Sequence, residues 1–462
     1  MSELETKVIK LGARRQLEIE RRIDAVQLLG LTSVLVPIWL FLTDGGLAGF
    51  TMNDLVPIGN RLTALVGTSL LLVHLALVAR IPWVEKTLGL DKLTSAHKRL
   101  GKPILYLLLL HSVLAIVSYS EISNLNLLLG LGSMVAGYGE LLLALVSIVL
   151  MVVVVISSIR IARKRLSYES WYLIHLVSYV AILSAIPHQL TLGTDFLSQP
   201  LMQSWFTLVY VFVFGNLLWF RIFQPILISL GANLKIERVT PDKNNTTSLV
   251  IGGRNLKRFD AQAGQFFLVR VLNQKQWWRP HPFSVSNSPG KEIRFTIGNR
   301  GDDTALMQKL KVGTRVILEG PFGVFTEAKR TKRHVTLMAA GIGVAPIRAL
   351  AESLAAEPGD VTIIYRATDV RDAALLHEVE RISLERGHEL HVLEGPRGDH
   401  GGFLPQDSAN TPEHAQLLGL APHLLDSDIY VCGPASWSNS VKQSVKKLGV
   451  AKNQLHIEEF AW

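Results

Sequence analysis

The sequence contains a single cysteine, Cys432, so no disulfide can form within the chain. Internal repeats and low-complexity tracts are also absent, which excludes a repeat architecture. Charge is scarce in the first half, apart from a charged segment at residues 1–24, which we expect to be a short surface helix or a solvated charged arm. This segment precedes the first long apolar run, which shows no obvious small-residue cleavage site, so we expect no cleavable signal peptide.

Long apolar runs, by contrast, are abundant. Hydrophobic residues make up 48% of the 462 residues, and the mean hydropathy is +0.29. Six apolar stretches each approach the roughly 20 residues that cross a bilayer core. They lie approximately at residues 25–43, 55–79, 100–119, 140–160, 171–188 and 203–223. The sequence therefore predicts a membrane protein whose residues 25–223 form a six-helix transmembrane bundle surrounded by lipid.

The net charge of +9 follows from the distribution of basic residues around these stretches. Lys and Arg occupy alternate connections, whereas the other connections carry carboxylates and no basic residue. Because basic loops remain in the cytoplasm, we expect both termini to be cytoplasmic, and we place the protein in the plasma membrane. Topology thus explains a charge that would otherwise suggest nucleic-acid binding, and we expect no nucleic-acid partner.

Four histidines lie in or beside the third and fifth apolar stretches. An ionisable side chain inside a membrane is costly and indicates function. The 14 residues from His97 to His111 span about 21 Å of helix, so these two side chains fall near opposite faces of the membrane. Topology then pairs His97 with His175 on the inner side and His111 with His188 on the outer side. Four neutral imidazoles in this arrangement suit two b-type haems.

The 13-residue spacing of His175 and His188 fits a regular helix less well. On an ideal helix the two side chains would differ in direction by about 140°. Pro187 directly precedes His188, and proline permits a kink or bulge. We therefore expect an irregular fifth helix near Pro187, and a straight helix there would count against the outer site.

Two further ionisable residues lie in the second apolar stretch. For His74 we favour packing, or a hydrogen bond to a haem edge, over ligation. Arg61, near the outer end, could pair with a haem propionate or attract an anionic acceptor. An arginine that reaches the outer interface is an equally good interpretation of Arg61.

Residues 224–333 predict a small antiparallel β-barrel, because short β-like runs alternate with turn signals. Phe283 and Ser284 could serve a flavin ring, and Arg279 its phosphates. Thr304 is typical of a helix N-cap, and a helix N-terminus attracts anions. Each motif alone could be a turn, whereas their order and spacing together favour an FAD site. Its expected residues are Arg279, His281, Pro282, Phe283, Ser284, Thr304, Gly320 and Gly323.

Residues 334–462 predict a parallel α/β nucleotide-binding domain, because a strand, a glycine loop, a helix and a strand follow in order. The glycines would admit a pyrophosphate to the backbone. Arg366 and Arg371 follow the next strand, where a 2′-phosphate would lie, and this favours NADPH over NADH. Both could also be surface charges. The expected NADPH-binding residues are Gly341, Gly343, Val344, Pro346, Arg366, Arg371, Gly433 and Pro434.

Three residues near the end of the chain complete the candidate site. Cys432 should face the nicotinamide, although a buried inert cysteine would give the same pattern. Phe460 and Trp462 end the chain, and a terminal aromatic ring could cover the flavin until nicotinamide displaces it. We therefore place Cys432, Phe460 and Arg61 among the catalytic residues, and Trp462 among those that contact a cofactor.

These motifs together resemble the NADPH oxidase and ferric reductase family, over about residues 25–462 and in its compact bacterial form. The resemblance implies haem ligation by the four histidines, FAD binding by HPFS 281–284 and GPFG 320–323, and NADPH binding by GIGVAPI 341–347 and CGP 432–434. Two departures bear on the acceptor and on the flavin. Superoxide-producing animal members carry a further histidine where this sequence has Ala115. Their chains end at the aromatic equivalent to Phe460, whereas this one continues with Ala461-Trp462.

The implied function is that of a transmembrane oxidoreductase. Cytoplasmic NADPH would reduce FAD, and electrons would cross through two haems to an extracytoplasmic acceptor, either oxygen, giving superoxide, or a ferric chelate. Two alternatives stay open. One is a membrane electron-transfer subunit that reduces a specific extracytoplasmic protein partner or a quinone. The other is a flavoprotein anchored by spans that carry no haem.

Overall fold

The chain forms two compact units, seen in a computed structural model. We call Ile23–Val84 with Leu90–Arg221 the helical unit, and Met1–Arg22, Glu85–Gly89 and Ile222–Trp462 the sheet unit. The residues that the structure describes are 3–44, 46–47, 51–242, 246–272, 277–290, 292–299, 301–397, 402–405 and 412–459.

The helices that precede the first strand alternate between long apolar helices and short connecting ones. In order they are α1 Glu3–Thr43, α2 Leu55–Ala76, α3 Pro82–Leu88, α4 Leu90–Ile122, α5 Leu127–Gly137, α6 Gly139–Ser158, α7 Arg160–Arg165, α8 Tyr168–Leu192, α9 Thr194–Ser198, α10 Pro200–Leu218 and α11 Gln224–Gly231. A π-helical turn, Trp219–Phe223, joins α10 to α11.

Six helical segments of the described chain are long and apolar enough to cross a membrane. They are Arg14–Thr43, Leu55–Ala76, Leu90–Ile122, Gly139–Ser158, Tyr168–Leu192 and Pro200–Gly231. The prediction of six apolar helices in the first half is therefore confirmed. In the helical unit, α2 packs along α4, and α6 packs along α8.

Two helical features differ from what the sequence suggested. The charged segment at residues 1–24 is not a separate helix, because α1 runs without a break from Glu3 to Thr43. Helix-forming residues continue through the junction, and its first proline is Pro37. The connection between the third and fourth spans also contains α5, an apolar helix whose N-cap Asn126 accepts a 2.9 Å hydrogen bond from the Leu129 amide.

The predicted irregularity near Pro187 was wrong, since α8 remains an α-helix from Tyr168 to Leu192. Proline removes only one backbone donor from a helix, and the neighbouring hydrogen bonds can persist. The Thr191 hydroxyl adds a 3.0 Å hydrogen bond to the Pro187 carbonyl.

The sheet unit contains all the strands of the described residues. They are β1 Lys235–Asp242, β2 Thr246–Gly252, β3 Phe266–Val271, β4 His281–Ser284, β5 Ile293–Gly298, β6 Val316–Phe322, β7 His334–Ala340, β8 Val361–Ala367, β9 Glu389–Glu394, β10 Ser427–Gly433 and β11 Leu455–Glu459. The helices among them are α12 Asp302–Met307, α13 Val344–Ser353, α14 Leu376–Arg386, α15 Glu413–Leu420 and α16 Ala435–Lys447.

The first six strands form two antiparallel sheets, β1-β2-β5 and β4-β3-β6. Isolated bridges, Lys235 with Arg315 and Val285 with Phe295, join the edges of the two sheets. Alternate residues, such as Phe267 and Val269, point into one apolar core between the sheets. The predicted barrel thus takes the form of two open sheets linked by single bridges.

The remaining strands form one parallel sheet in the order β11-β10-β7-β8-β9. Its two faces bury separate apolar clusters: Leu337 contributes to one, and its neighbour Met338 to the other. The strand order reverses between β7 and β10, and ligands of such sheets bind at the carboxyl ends of the strands beside this point. The predicted α/β domain is confirmed.

Candidate functional site

The inner pair of predicted ligands consists of His97 on α4 and His175 on α8. The centres of their imidazole rings lie 6.1 Å apart, and the ring planes meet at 71°. Nδ1 of His97 lies 3.2 Å from the carbonyl oxygen of His74. A carbonyl only accepts, so Nδ1 carries the proton and Nε2 of His97 keeps a lone pair. The two rings therefore suit an axial ligand pair.

His74 on α2 supports His97 from the side. The two rings stack with their centres 3.6 Å apart and their planes at 12°. Nε2 of His74 donates a 3.0 Å hydrogen bond to the carbonyl of His97, so each residue bonds the backbone of the other. His74 thus orients His97, and the preference for packing over ligation stays a prediction.

The outer pair, His111 on α4 and His188 on α8, borders one cavity of about 160 Å³. Nδ1 of His111 lies 3.2 Å from the carbonyl oxygen of Asn60, so its Nε2 also keeps a lone pair. Most other side chains around the cavity are apolar, among them Leu108, Ile116, Leu131, Met134 and Met151. His188 thus borders the same cavity as His111 although α8 is not interrupted at Pro187, so the missing irregularity does not separate the outer pair.

The two α8 histidines differ from the two on α4 in their hydrogen bonding. Nδ1 of His175 and Nδ1 of His188 are buried and lack a partner among the described residues. Buried polar atoms usually have a partner, and their exceptions often mark functional sites. No group of three or more His, Cys, Asp or Glu side chains within the described ranges could hold a metal ion. The arrangement consists of facing pairs, and two axial ligands are what a low-spin haem needs.

Arg61 on α2 forms an ion pair with Asp195 on α9. Its Nε lies 3.1 and 3.0 Å from the two carboxylate oxygens. The guanidinium carbon lies 4.6 Å from the centre of the Phe41 ring. None of the interpretations from the sequence included this carboxylate, because 134 residues separate the two partners. The role of Arg61 in attracting an acceptor stays a prediction.

The predicted flavin residues His281, Pro282, Phe283 and Ser284 form strand β4. Ser284 is buried and lies opposite Phe266 of β3. Phe283 packs against the apolar core, so only part of its ring is free to wall a cofactor. Arg279 lies just before β4 and is half-buried. The strand thus places these motif residues along one edge of the β4-β3-β6 sheet.

The loop at Gly320 and Gly323 depends on backbone conformations that favour glycine. Their φ angles are +140° and +94°. A Cβ atom at Gly320 would lie 3.0 Å from the Phe267 ring. The Gly323 amide donates a 2.9 Å hydrogen bond to Oε1 of Glu85. The motifs gave no signal for Glu85, which precedes this loop by more than two hundred residues.

Thr304 is not the N-cap of α12, so the predicted cap was wrong, whereas its contact with FAD stays a prediction. The cap is Gly301, and Thr304 lies inside the six-residue helix. Its hydroxyl donates a 2.9 Å hydrogen bond back to the Gly301 carbonyl. A threonine inside a helix commonly bonds a preceding carbonyl in this way.

The structure brings the two predicted nicotinamide motifs together at the switch point of the parallel sheet. Gly341–Gly343 form a turn after β7, and Val344 begins α13 with Pro346 in its first turn. A Cβ atom at Gly343 would lie 2.2 Å from the carbonyl oxygen of Cys432. Gly341 has a φ of +55° and open space where a side chain would be. The turn can therefore approach β10 on one side and a ligand on the other.

The CGP motif closes this edge of the sheet. Cys432 is fully buried at the end of β10, opposite Ala339 of β7. A Cβ atom at Gly433 would lie 2.8 Å from the Trp437 ring, and Pro434 is the N-cap of α16. Phe460 and Trp462 lie outside the described residues, so their predicted contacts with flavin stay predictions.

The two arginines predicted to bind a 2′-phosphate differ in their surroundings. Arg366 is 6% exposed, and burial, followed by the neighbouring charge of Arg397, lowers its pKa. Arg371 is 89% exposed, and its Nη2 lies 2.6 Å from Oδ2 of Asp369. Arg366 is therefore held within the fold, whereas Arg371 stands in solvent beside a carboxylate.

An ion-pair network joins the antiparallel strands to α13 and α14. Nη1 and Nη2 of Arg294 lie 2.9 and 2.8 Å from the Glu378 carboxylate. Nε of Arg348 lies 2.8 Å from the same carboxylate, and Nη1 of Arg348 bonds Glu352. Burial is the largest single effect on the pKa of Glu378, and it raises that pKa. Arg294 and Arg348 together lower the pKa by more, so it lies below its ordinary value. Sequence motifs gave no signal for this network.

Two family models each match a region of the chain, one in each half. Residues 63–186 match the family model of a ferric reductase like transmembrane component. Residues 337–443 match the model of an oxidoreductase NAD-binding domain. The first of these regions contains all of the predicted ligands except His188. The second contains the glycine turn and the CGP motif.

Several curated relatives are similar over part of their length. Vanillate O-demethylase oxidoreductase from Pseudomonas sp. is 31% identical over 39% of this chain and 54% of that protein. The flavohemoprotein of Vibrio cholerae is 28% identical over 44% of this chain and 52% of that protein. The NADH oxidoreductase HCR of Escherichia coli is 29% identical over 41% of this chain and 57% of that protein. The chain thus spans about half the length of these relatives.

Solved structures are similar over about half of the chain. The FAD/NAD-binding domain of nitric oxide dioxygenase from Vibrio cholerae is 22% identical, with a TM-score of 0.39, over 49% of this chain and 98% of that one. Ferredoxin-NADP+ reductase from Plasmodium falciparum is 19% identical, with a TM-score of 0.40, over 49% of this chain and 95% of that one.

Proposed function

We propose that this chain, a multi-pass membrane oxidoreductase with a ferric reductase-like transmembrane domain and an FAD- and NAD(P)H-binding reductase domain, carries electrons across the plasma membrane. The route runs from cytoplasmic NADPH through FAD and two b-type haems to an extracytoplasmic acceptor. The observation that carries the proposal is the pairing of α4 and α8 histidines. His97 and His175 lie 6.1 Å apart between ring centres, and His111 and His188 border one cavity.

The residues fit haem in three respects. The Nδ1 hydrogen bonds of His97 and His111 leave Nε2 as the ligating nitrogen in each. The α8 partners each keep one buried ring nitrogen without a partner in the described structure. The cavity beside the outer pair has a mainly apolar lining, as the porphyrin faces require. Haem, when bound, supplies a one-electron carrier within the membrane.

The sheet unit supplies the donor side. The open space at Gly341 would let a dinucleotide approach the sheet at the switch point between β7 and β10. On its other side, at Gly343, the turn packs against the backbone of Cys432 and Gly433. FAD accepts two electrons from a nicotinamide and can release them one at a time, so it converts a hydride donor into a source of single electrons.

NADPH is the proposed donor, with NADH as the less favoured one. Arg366 lies inside β8, one residue before its end, and not after the strand as the sequence suggested; its buried guanidinium is close enough to Arg397 for their charges to interact, which makes this end of β8 cationic. A 2′-phosphate would relieve that like-charge repulsion, whereas the 2′-hydroxyl of NADH would not. Steady-state rates with the two donors in wild type and Arg366→Gln measure this preference.

The acceptor is proposed to be oxygen, giving superoxide, or ferric iron in a chelate. The arrangement of basic loops supports cytoplasmic termini and therefore outward electron flow. A protein partner or a quinone is the alternative acceptor. Stopped-flow reoxidation of the reduced protein by oxygen, ferric chelates and quinones ranks these acceptors directly.

His111→Leu tests the route. It should abolish acceptor reduction and leave flavin reduction by NADPH intact, because the sheet unit is unaltered. Tyr106→Leu is the matched control, since Tyr106 lies on the same helix and is 64% exposed. Acceptor reduction at the wild-type rate in His111→Leu would show that electrons do not pass the outer pair.

A further inference from the structure

The α4 ligands and the α8 ligands are held in different ways. His97 and His111 each bond a backbone carbonyl of α2 through Nδ1. Nδ1 of His175 has no partner among the described residues, so hydrogen bonding at that atom does not fix its ring. Ligating histidines nearly always need such a second contact to set the ring orientation. Something else must orient His175.

Trp171 lies one helical turn before His175 on α8, and its ring stacks on the imidazole. The ring centres are 5.2 Å apart, and the planes differ by 25°. Residues four apart share one helix face, so this contact is a direct result of their spacing. A flat indole against one side of the imidazole restricts rotation of the histidine side chain. The residue at the same spacing before His188 is Ser184, which offers no ring.

Trp171 is itself anchored from two other elements. Its Nε1 donates a 3.3 Å hydrogen bond to Oγ of Ser158 at the end of α6. The guanidinium carbon of Arg163 on α7 lies 4.6 Å from the centre of a Trp171 ring. A cation at this distance from an indole is attracted by its π electrons. The chain of contacts therefore runs from Arg163 through Trp171 to His175 and then to His97.

We propose that Trp171 is a positioning residue that holds His175 in its haem-ligating orientation, with Arg163 and Ser158 fixing the indole. This inference rests on the proposed function, because it concerns the inner of the two haem sites. Arg163 also places a positive charge against Trp171, the ring that stacks on His175 of the inner pair. A nearby positive charge disfavours the more positive oxidised iron, so it raises the midpoint potential of that centre.

The test uses the purified full-length protein and compares Trp171→Leu with Tyr172→Leu, a neighbouring aromatic on the same helix. Haem content should fall from about two to about one per chain in Trp171→Leu and stay at about two in Tyr172→Leu. FAD content and a single size-exclusion peak report on folding. Wild-type haem content together with an unchanged low-spin electron paramagnetic resonance signal in Trp171→Leu would overturn the inference.

Arg163→Gln supplies a second readout that does not depend on loss of the indole. In a His111→Leu background only the inner centre remains, and a spectroscopic redox titration gives its midpoint potential. Arg163→Gln should lower that potential, and an unchanged potential would contradict the inference. Absence of b-type bands in the wild type would instead refute the proposed function, so the two failures are distinguishable.

Discussion

Oε1 of Glu85 accepts a 2.9 Å hydrogen bond from the backbone amide of Gly323. Glu85 is only 2% exposed and lies in α3, in sequence between the second and third spans. Gly323 ends the loop that is predicted to hold FAD. Residues 85–89 belong to the sheet unit, so this part of a membrane connection is a component of the reductase fold.

Glu85→Leu should destabilise the sheet unit and lower its FAD content. The substitution leaves the buried Gly323 amide without its acceptor, which costs about 1–3 kcal/mol. Thermal unfolding and the flavin absorbance of the purified protein measure the two effects. Glu85→Gln keeps an acceptor oxygen and should lie near wild type. Equal stability and FAD content in the Leu variant and the wild type would show that the contact has no structural role.

Gly343→Ala should block reduction of the flavin by NADPH while FAD stays bound. The new Cβ atom would lie 2.2 Å from the Cys432 carbonyl, and backbone atoms on both sides must move. Anaerobic stopped-flow at the flavin band measures the rate, with dithionite reduction as the check that flavin is present. The control is Gly419→Ala, because Gly419 lies in α15 with nothing within 4 Å of its added Cβ. A wild-type rate in Gly343→Ala would contradict the packing of this turn against β10.

Glu378 should make the sheet unit sensitive to acid. Its pKa in the folded protein lies below the ordinary value of 4.5, so its ion pairs stabilise the fold above about pH 4.5. That contribution is lost as the pH falls through the lowered pKa. Glu378→Gln should be less stable at neutral pH and lose less stability on acidification. Chemical unfolding at pH values from about 3 to about 7, which include the range where carboxylates titrate, measures how the free energy of unfolding changes with pH.

The control for this pH experiment is Glu385→Gln. Glu385 lies on the same helix but pairs with Arg381 in solvent, with side chains 56% and 55% exposed. Such surface pairs contribute little to stability. Identical pH profiles for Glu378→Gln and wild type would exclude the proposed acid sensitivity.

Arg61→Gln should lower thermal stability in detergent, since it leaves the 7%-exposed Asp195 without its cation. The loss should stay below the roughly 3–5 kcal/mol seen for fully buried pairs, because the Arg61 side chain is 32% exposed. The double variant with Asp195→Asn should recover most of the loss. A double variant less stable than Arg61→Gln would indicate that the two residues act separately.

Sequence patterns predicted the features that depend on local order. Hydropathy marked the six long helices, and the His97 and His111 spacing follows from helix geometry alone. Gly341 follows one parallel strand and Cys432 lies at the end of another, and such strand ends meet at one edge of a sheet. Their proximity could therefore be expected without a structure.

Features that depend on contacts distant in sequence could not be predicted in this way. The partners Glu85 with Gly323 and Arg61 with Asp195 have no shared motif, and only the fold brings them together. Thr304 failed as a cap because the sequence does not show where a short helix begins, and Gly301 took that position. The stacking of Trp171 on His175 could be predicted only in part. The sequence shows their four-residue spacing, but it does not show the contacts of Trp171 with Ser158 and Arg163.

The central claim is that the two histidine pairs hold b-type haem. The most direct measurement is the reduced-minus-oxidised absorption spectrum of the purified protein, with haem quantified per chain. The account predicts b-type bands, about two haems per chain, and a loss of about one haem in either His97→Leu or His111→Leu. A spectrum that shows flavin alone, with no b-type bands, would contradict it.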